Sequence, residues 1–201
     1  DLVPVFSFFI FKGKCRYCGE SISWQYPVVE LLTGLLYLLL YIKFELSVDL
    51  FVYILLISLL IVVTFIDLKY QIIPNKITYP FIIIGFIISL FLNHISFSSS
   101  LIGGLIPAGL LLLLAILYKK GLGMGDVKLV AMIGAYIGYP YTLAGIFIGS
   151  LIGLLMLSPF LITGQFNRKT RIPFGPLISL GSIIMILYGD ILINWYFNIF
   201  I

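Results

Sequence analysis

Seven long apolar runs separated by short polar breaks make up most of this sequence, at residues 27–43, 50–67, 77–93, 101–118, 127–140, 142–163 and 174–198. None shows the alternation expected of barrel strands, and in hydrocarbon only helices and closed barrels satisfy their own backbone polar groups. A bilayer-spanning helix takes about 20 mostly apolar residues. The pattern therefore predicts an all-α polytopic membrane protein with about seven transmembrane helices. The fifth run is the short one. It holds Gly134, Gly138 and Pro140, which leaves it open to merging with the sixth run in a tilted hairpin.

Composition agrees with the pattern. The 201 residues are 62% hydrophobic and 10% charged, with a mean hydropathy of +1.20, whereas soluble domains carry about 25% charged residues. No cleaved signal peptide precedes a soluble body. The first residue is Asp rather than Met, so a fragment or a processed form is expected. Two regions follow: a polar segment at 1–26 and a helical body at 27–201.

Charge placement sets the topology. With the N-terminal segment in the cytoplasm, eleven of the twelve Lys and Arg fall on the cytoplasmic side, in segments 1–26, 68–76, 119–128 and 164–173; only Lys43 falls outside. The stretches 93–100 and 138–141 have neither residue type. This is a positive-inside pattern, so the net charge of +4 is a topology signal and no nucleic-acid partner is expected. The lipid bilayer is. The same topology brings two aspartates, Asp67 and Asp126, to the cytoplasmic face.

Those aspartates are the candidate chemistry. The chain has only eight acidic residues, and a carboxylate in hydrocarbon costs at least a few kcal/mol. Asp126 follows Gly121, Gly123 and Gly125 at a helix start, where the helix dipole favours negative charge. Its plain alternative is an interfacial N-cap behind a flexible loop. Asp67 closes a helix, where the dipole disfavours it, with Pro74 and Asn75 ahead to form a turn. Its plain alternative is a marker of the water interface.

As a pair they suit peptide hydrolysis. Two carboxylates sharing a site do not both ionise easily, so one keeps its proton. The ionised member takes a proton from an attacking water, while the other hydrogen-bonds the scissile carbonyl and helps protonate the leaving amine. Which member does which is left open by the sequence. Lys128, Gly123 and Gly125 flank Asp126 as an active-site loop. His94 falls in the outer loop and is expected to be solvated.

Cys15 and Cys18 form a CxxC in the N-terminal segment. A cytoplasmic disulfide is disfavoured, which leaves half of a zinc site or two free thiols; tetrahedral zinc needs four ligands. Free thiols are the preferred reading. Glu30, near the start of the first run, is expected to cap that helix, the alternative being the wall of a polar cavity. The stretch NRKTRIPFGP at 167–176 serves as a basic anchor before a proline-started helix, or as a substrate-guiding rim.

Four motifs in order, KGKCRYCGESISWQYPVVELLTG, FIDLKYQIIPNKIT, GLGMGDVKLVAMIGAYIG and IPFGPLISLG, together resemble the type IV prepilin peptidases, or prepilin leader peptidase/N-methyltransferases, over nearly the whole chain. The resemblance implies a GxGD-type aspartyl protease architecture with Asp67 and Asp126 as the catalytic pair. It further implies prepilin or pseudopilin substrates, cut at the cytoplasmic face of a bacterial inner membrane. The peptidase step needs no cofactor in this family. The second activity, methylation of the new N-terminus, uses S-adenosylmethionine; Gly13 and Glu30 lie in the region it implicates, and Cys15 and Cys18 match one of two cysteine pairs that hold zinc. Members usually begin with a further helix and an earlier CxxC. Neither is in this sequence, so it is expected either to be truncated or to have lost the metal site, and zinc and S-adenosylmethionine are tied to that missing region. A small multi-pass transporter or membrane scaffold with interfacial acids is the alternative; the chain shows no clear internal repeat, which transporters often have.

Overall fold

The computed structural model describes residues 5–92, 94–117, 123–162 and 173–200. Gly121 and the cations Lys119, Lys120, Arg168, Lys169 and Arg171 lie outside them. Among the described residues the chain is all-helical: α1 (Phe6–Ile10), α2 (Gln25–Phe44), α3 (Val48–Tyr70), α4 (Asn75–Phe91), α5 (Phe97–Leu117), α6 (Met124–Ile137), α7 (Tyr141–Ile162) and α8 (Gly175–Phe200). α2 to α8 correspond one for one to the seven apolar runs. Five of these helices, α2, α3, α5, α7 and α8, are long and apolar enough to cross a membrane, and α4 is a shorter apolar helix of 17 residues. Large apolar side chains on their surfaces, such as Leu113, Ile116 and Leu117 of α5 and Leu154, Leu155 and Met156 of α7, are more than half exposed. Water would make such patches an aggregation hazard, whereas lipid accommodates them.

The chain divides into two compact units, Asp1–Leu50 and Phe51–Ile201. In the second, α6 is packed against by α4, α5, α7 and α8. All its residues from Asp126 to Ile137 except Lys128 and Ala131 are buried. A helix enclosed on most sides is apolar nearly all round. At 14 residues it is about 21 Å long, too short for a hydrocarbon core of about 30 Å. Its buried stretch from Asp126 onward is covered by neighbouring helices, while Met124 at its start is exposed.

Close packing here depends on small residues. A Cβ on Gly134 would run into the Gly103 carbonyl, so α5 and α6 meet backbone to backbone. Ser100 of α5 adds a buried hydrogen bond to the Ala135 carbonyl at 2.7 Å. α7 and α8 likewise pack closely, and Tyr141 of α7 donates to Asp190 of α8 at 2.6 Å.

Several boundaries differ from the sequence-based expectation. α6 and α7 do not merge: Gly138 takes φ +68 and closes α6 by donating to the Gly134 carbonyl. α5 begins four residues before its apolar run, because the Ser96 hydroxyl accepts the N–H of Ser99 and caps the helix. Half of the expected outer loop is thus helix. α3 runs on to Tyr70, placing Asp67 inside the last turn rather than at the final residue. His94 is not simply solvated. It is half-buried, its Nε2 lies 3.1 Å from the Tyr136 carbonyl oxygen, and its ring stands edge-on to Tyr53.

Candidate active site

Asp126 is the third residue of α6. The N-cap is Gly123, in an extended conformation. Gly123 donates its N–H to Asp126 Oδ2 at 3.1 Å, and Asp126 returns its own N–H to the Gly123 carbonyl at 3.0 Å. A carboxylate in the first turn satisfies one orphan helix donor and lies at the positive end of the dipole. The residue expected as a possible N-cap is therefore the partner of the cap instead. It is buried, 8% exposed.

Asp67 is 5% exposed. Its own helix ends one turn later, so the α3 dipole opposes its charge. The compensation comes from a distant part of the chain. Gly175, first residue of α8, donates its N–H to Asp67 Oδ2 at 3.1 Å. That N–H is one of the helix-start donors that have no partner within the helix. Each aspartate is thus held through Oδ2 by a backbone donor at a helix N-terminus, Asp126 by that of α6 and Asp67 by that of α8. A Cβ on Gly175 would come within 2.7 Å of Asp67 Oδ2, so the approach requires glycine.

Both carboxylates line one cavity of about 260 Å³, together with Gly123, Gly125 and Lys128 of the α6 start and Gln71, Ile73 and Asn75 of the α3–α4 connection. The two carboxylates are close enough to interact electrostatically. Lys128 donates to Asn75 Oδ1 at 2.9 Å and lies over the Tyr79 ring at 4.9 Å, which ties the start of α6 to the start of α4. Two carboxylates, a nearby cation and room for water form a site suited to general acid–base hydrolysis. All the site residues assigned to this loop from sequence, Asp67, Asp126, Gly123, Gly125 and Lys128, meet here. Gly175 and Ile73 were missed. The PFGP stretch gave a signal, but a backbone N–H donor carries no side-chain signature.

The first unit holds a second constellation. Residues 14–22 form a knuckle: Cys15 donates its N–H to the Glu20 carbonyl, Gly19 donates to that of Cys15, and Lys14 pairs with Ser21. Hydrogen bonds to the Cys15 sulfur from the N–H groups of Cys18 and Tyr17, with a further one from the Cys18 side chain, hold the Cys15 thiol below its ordinary pKa. Both cysteines are free. They supply two thiolate donors of a kind zinc takes, and among the described residues no group of three or more His, Cys, Asp or Glu comes together. A full tetrahedral set is not present there.

Beside the knuckle a cavity of about 300 Å³ is lined by Cys15, Glu30 and the rings of Phe8, Phe11, Tyr17 and Tyr26. Gly13, with φ +71, packs against Phe8, where an added Cβ would stand 3.1 Å from the ring. The structure therefore groups Gly13, Cys15 and Glu30, with Cys18 on the adjoining turn. Glu30 does not cap α2. That helix starts at Gln25, leaving no acid in its first turn, and the Glu30 carboxylate instead accepts the Val5 N–H at 2.8 Å.

The described Type IV leader peptidase family matches residues 54–158, a span that includes both aspartates. The Bacterial Peptidase A24 N-terminal domain matches residues 1–44. Among curated proteins, the chain is similar to the prepilin leader peptidase/N-methyltransferase of Bacillus subtilis (strain 168), with 37% identity over 199 residues, covering 98% of this chain and 79% of that protein. It is 30% identical over 203 residues to the protein of the same name from Aeromonas salmonicida (strain A449), covering 98% and 69%. A Xanthomonas campestris relative of the same name is 33% identical over 199 residues, covering 96% and 69%. No solved structure is a significant match.

Proposed function

The chain belongs to the type IV leader peptidase family, membrane proteases that remove prepilin leader peptides, and on that premise we propose that Asp67 and Asp126 are the pair that performs the cut. The observation that carries this reading is the shared cavity, in which two buried carboxylates are each held by a helix-start N–H. With Oδ2 of each carboxylate so engaged, Oδ1 is the atom for chemistry. One carboxylate, ionised, takes a proton from water as the water oxygen adds to the scissile carbonyl carbon. The other, protonated, hydrogen-bonds the carbonyl oxygen. Collapse of the tetrahedral intermediate breaks the C–N bond, and a proton passes to the leaving amine. The pair acts as one titrating unit. Lys128, fixed by Asn75, adds positive charge beside it.

The substrates in this reading are prepilins or pseudopilins of a bacterial cytoplasmic membrane, cut at the cavity that Asp67 and Asp126 line. The transporter and scaffold alternatives lapse with the family assignment. Co-expression with a prepilin tests the reading: leader loss seen as a gel shift with the wild type, and absent with Asp67→Asn or Asp126→Asn, supports it. Processing by either variant sinks it.

The relatives' names also carry an N-methyltransferase activity, and the 300 Å³ cavity of the first unit supports a second reading. Its aromatic rings and the Glu30 carboxylate suit a cationic sulfonium such as S-adenosylmethionine, which would supply the methyl group. Gly13, Phe8 and Glu30 would hold it. For zinc the chain offers only the Cys15 and Cys18 thiolates among its described residues, and no step is assigned to a metal. Mass spectrometry of the processed pilin N-terminus tests this reading: an added methyl group supports it, and an unmodified amine with donor present contradicts it.

A further inference from the structure

We propose that Ile73 is a positioning residue of the cleavage site, a wedge whose side chain sets the spacing between the two backbone segments that hold the aspartates. This rests on the reading of Asp67 and Asp126 as the catalytic pair. Gly125 directly precedes Asp126, and Gly175 supplies the N–H that holds Asp67. Ile73 touches both. A Cβ built on Gly125 would lie 3.0 Å from Ile73 Cβ and 3.4 Å from its Cδ1, and one built on Gly175 would lie 3.3 Å from that same Cδ1. One side chain therefore fills the gap between α6 and α8 where each presents a glycine.

The wedge is itself held on both sides. Gln71 adopts φ +53, a conformation L side chains rarely take, while donating its N–H to the Asp67 carbonyl at 2.8 Å. Pro74 fixes the chain at φ −67, and its carbonyl accepts from Ile77 and Thr78 as α4 begins. Asn75 receives Lys128. Ile73 thus rides on a connection anchored to α3, α4 and α6. A β-branched side chain is stiff at χ1, and its glycine neighbours have no side chains that could readjust to fill a change. Its role in this proposal is transmitted through Gly125 and Gly175, although it lines the same cavity as the two carboxylates.

Cross-linking reads the spacing without any activity. With Cys15 and Cys18 changed to Ser, the Asp67→Cys/Asp126→Cys protein in membranes is treated with bifunctional thiosulfonate reagents of graded spacer length. Yield is expected to peak at one length with Ile73 present. Ile73→Val, which removes the Cδ1 that reaches Gly175, shifts or broadens the peak, and Ile73→Ala does so further. In the otherwise wild-type enzyme, kcat falls about tenfold for Val and about 100-fold for Ala, as a displacement near 1 Å would cause, with KM little changed. An unchanged cross-linking profile overturns the proposal, as does a rise in KM at constant kcat, which would make Ile73 a substrate wall. Should the Ala variant not fold, the Val variant carries the test. If the Asp→Asn variants remain active, the catalytic reading fails while the cross-linking still decides the spacing.

Discussion

Gly175 donates its backbone N–H to Asp67 Oδ2 at 3.1 Å across 108 positions of sequence, and this one hydrogen bond explains how a carboxylate is kept buried in the last turn of α3. The donor belongs to the first residue of α8, so the positive end of a second helix offsets the negative end of the first. Gly175→Ala is expected to displace the Asp67 carboxylate, since the new Cβ would meet Asp67 Oδ2 at 2.7 Å. Cleavage should fall about 100-fold with the thermal midpoint in detergent nearly unchanged. Wild-type cleavage by the alanine variant would show that the contact does not position Asp67.

Lys128 and Asn75 are expected to act together. Lys128→Met and Asn75→Ala should each slow cleavage severalfold, and the double variant should be no slower than the worse single one. That corresponds to a coupling of about 0.5–1.5 kcal/mol for a partly exposed hydrogen bond. Additive losses would mean that Lys128 acts on substrate independently of its link to α4.

Gly134→Val should destabilise the fold rather than the chemistry. Its side chain would collide with the Gly103 carbonyl where α5 and α6 meet, and overpacking of this kind costs about 1–3 kcal/mol. A lowered thermal midpoint in detergent is the expected readout. An unchanged midpoint would contradict the backbone-to-backbone packing.

Cys15 should alkylate at lower pH than an ordinary thiol. Hydrogen bonds from the Cys18 and Tyr17 N–H groups lower its pKa, so thiolate, the reactive form, is present at pH values where a free cysteine is still protonated. Mass-resolved labelling with iodoacetamide across pH checks this. Cys15→Ser should leave leader cleavage intact while removing the low-pH labelling. A Cys15 rate that follows an ordinary thiol throughout would contradict the knuckle geometry.

The helices α2 to α8 were legible because each is one apolar run, but run length alone did not separate the five that are long enough to cross a membrane from α4 and the 14-residue α6. Asp67 and Asp126 were legible because carboxylates in so apolar a chain stand out. What was not legible came from long-range packing. Glu30 was expected to cap α2, but the helix begins at Gln25 and its carboxylate serves Val5. His94 was expected to be solvated, but it meets Tyr53 and the Tyr136 carbonyl. Gly175 and Ile73 contribute a backbone N–H and a hydrocarbon shape, neither of which a residue type announces.

The central claim is that Asp67 and Asp126 act as one unit, and single-turnover cleavage of a purified prepilin in lipid vesicles tests it most directly. Asp67→Asn and Asp126→Asn should each reduce the cleavage rate to background, and the double variant should be no slower than either, because residues of one catalytic unit are grossly non-additive. Retention of more than about a tenth of the wild-type rate, a loss of only about 1.4 kcal/mol, by either single variant would contradict it.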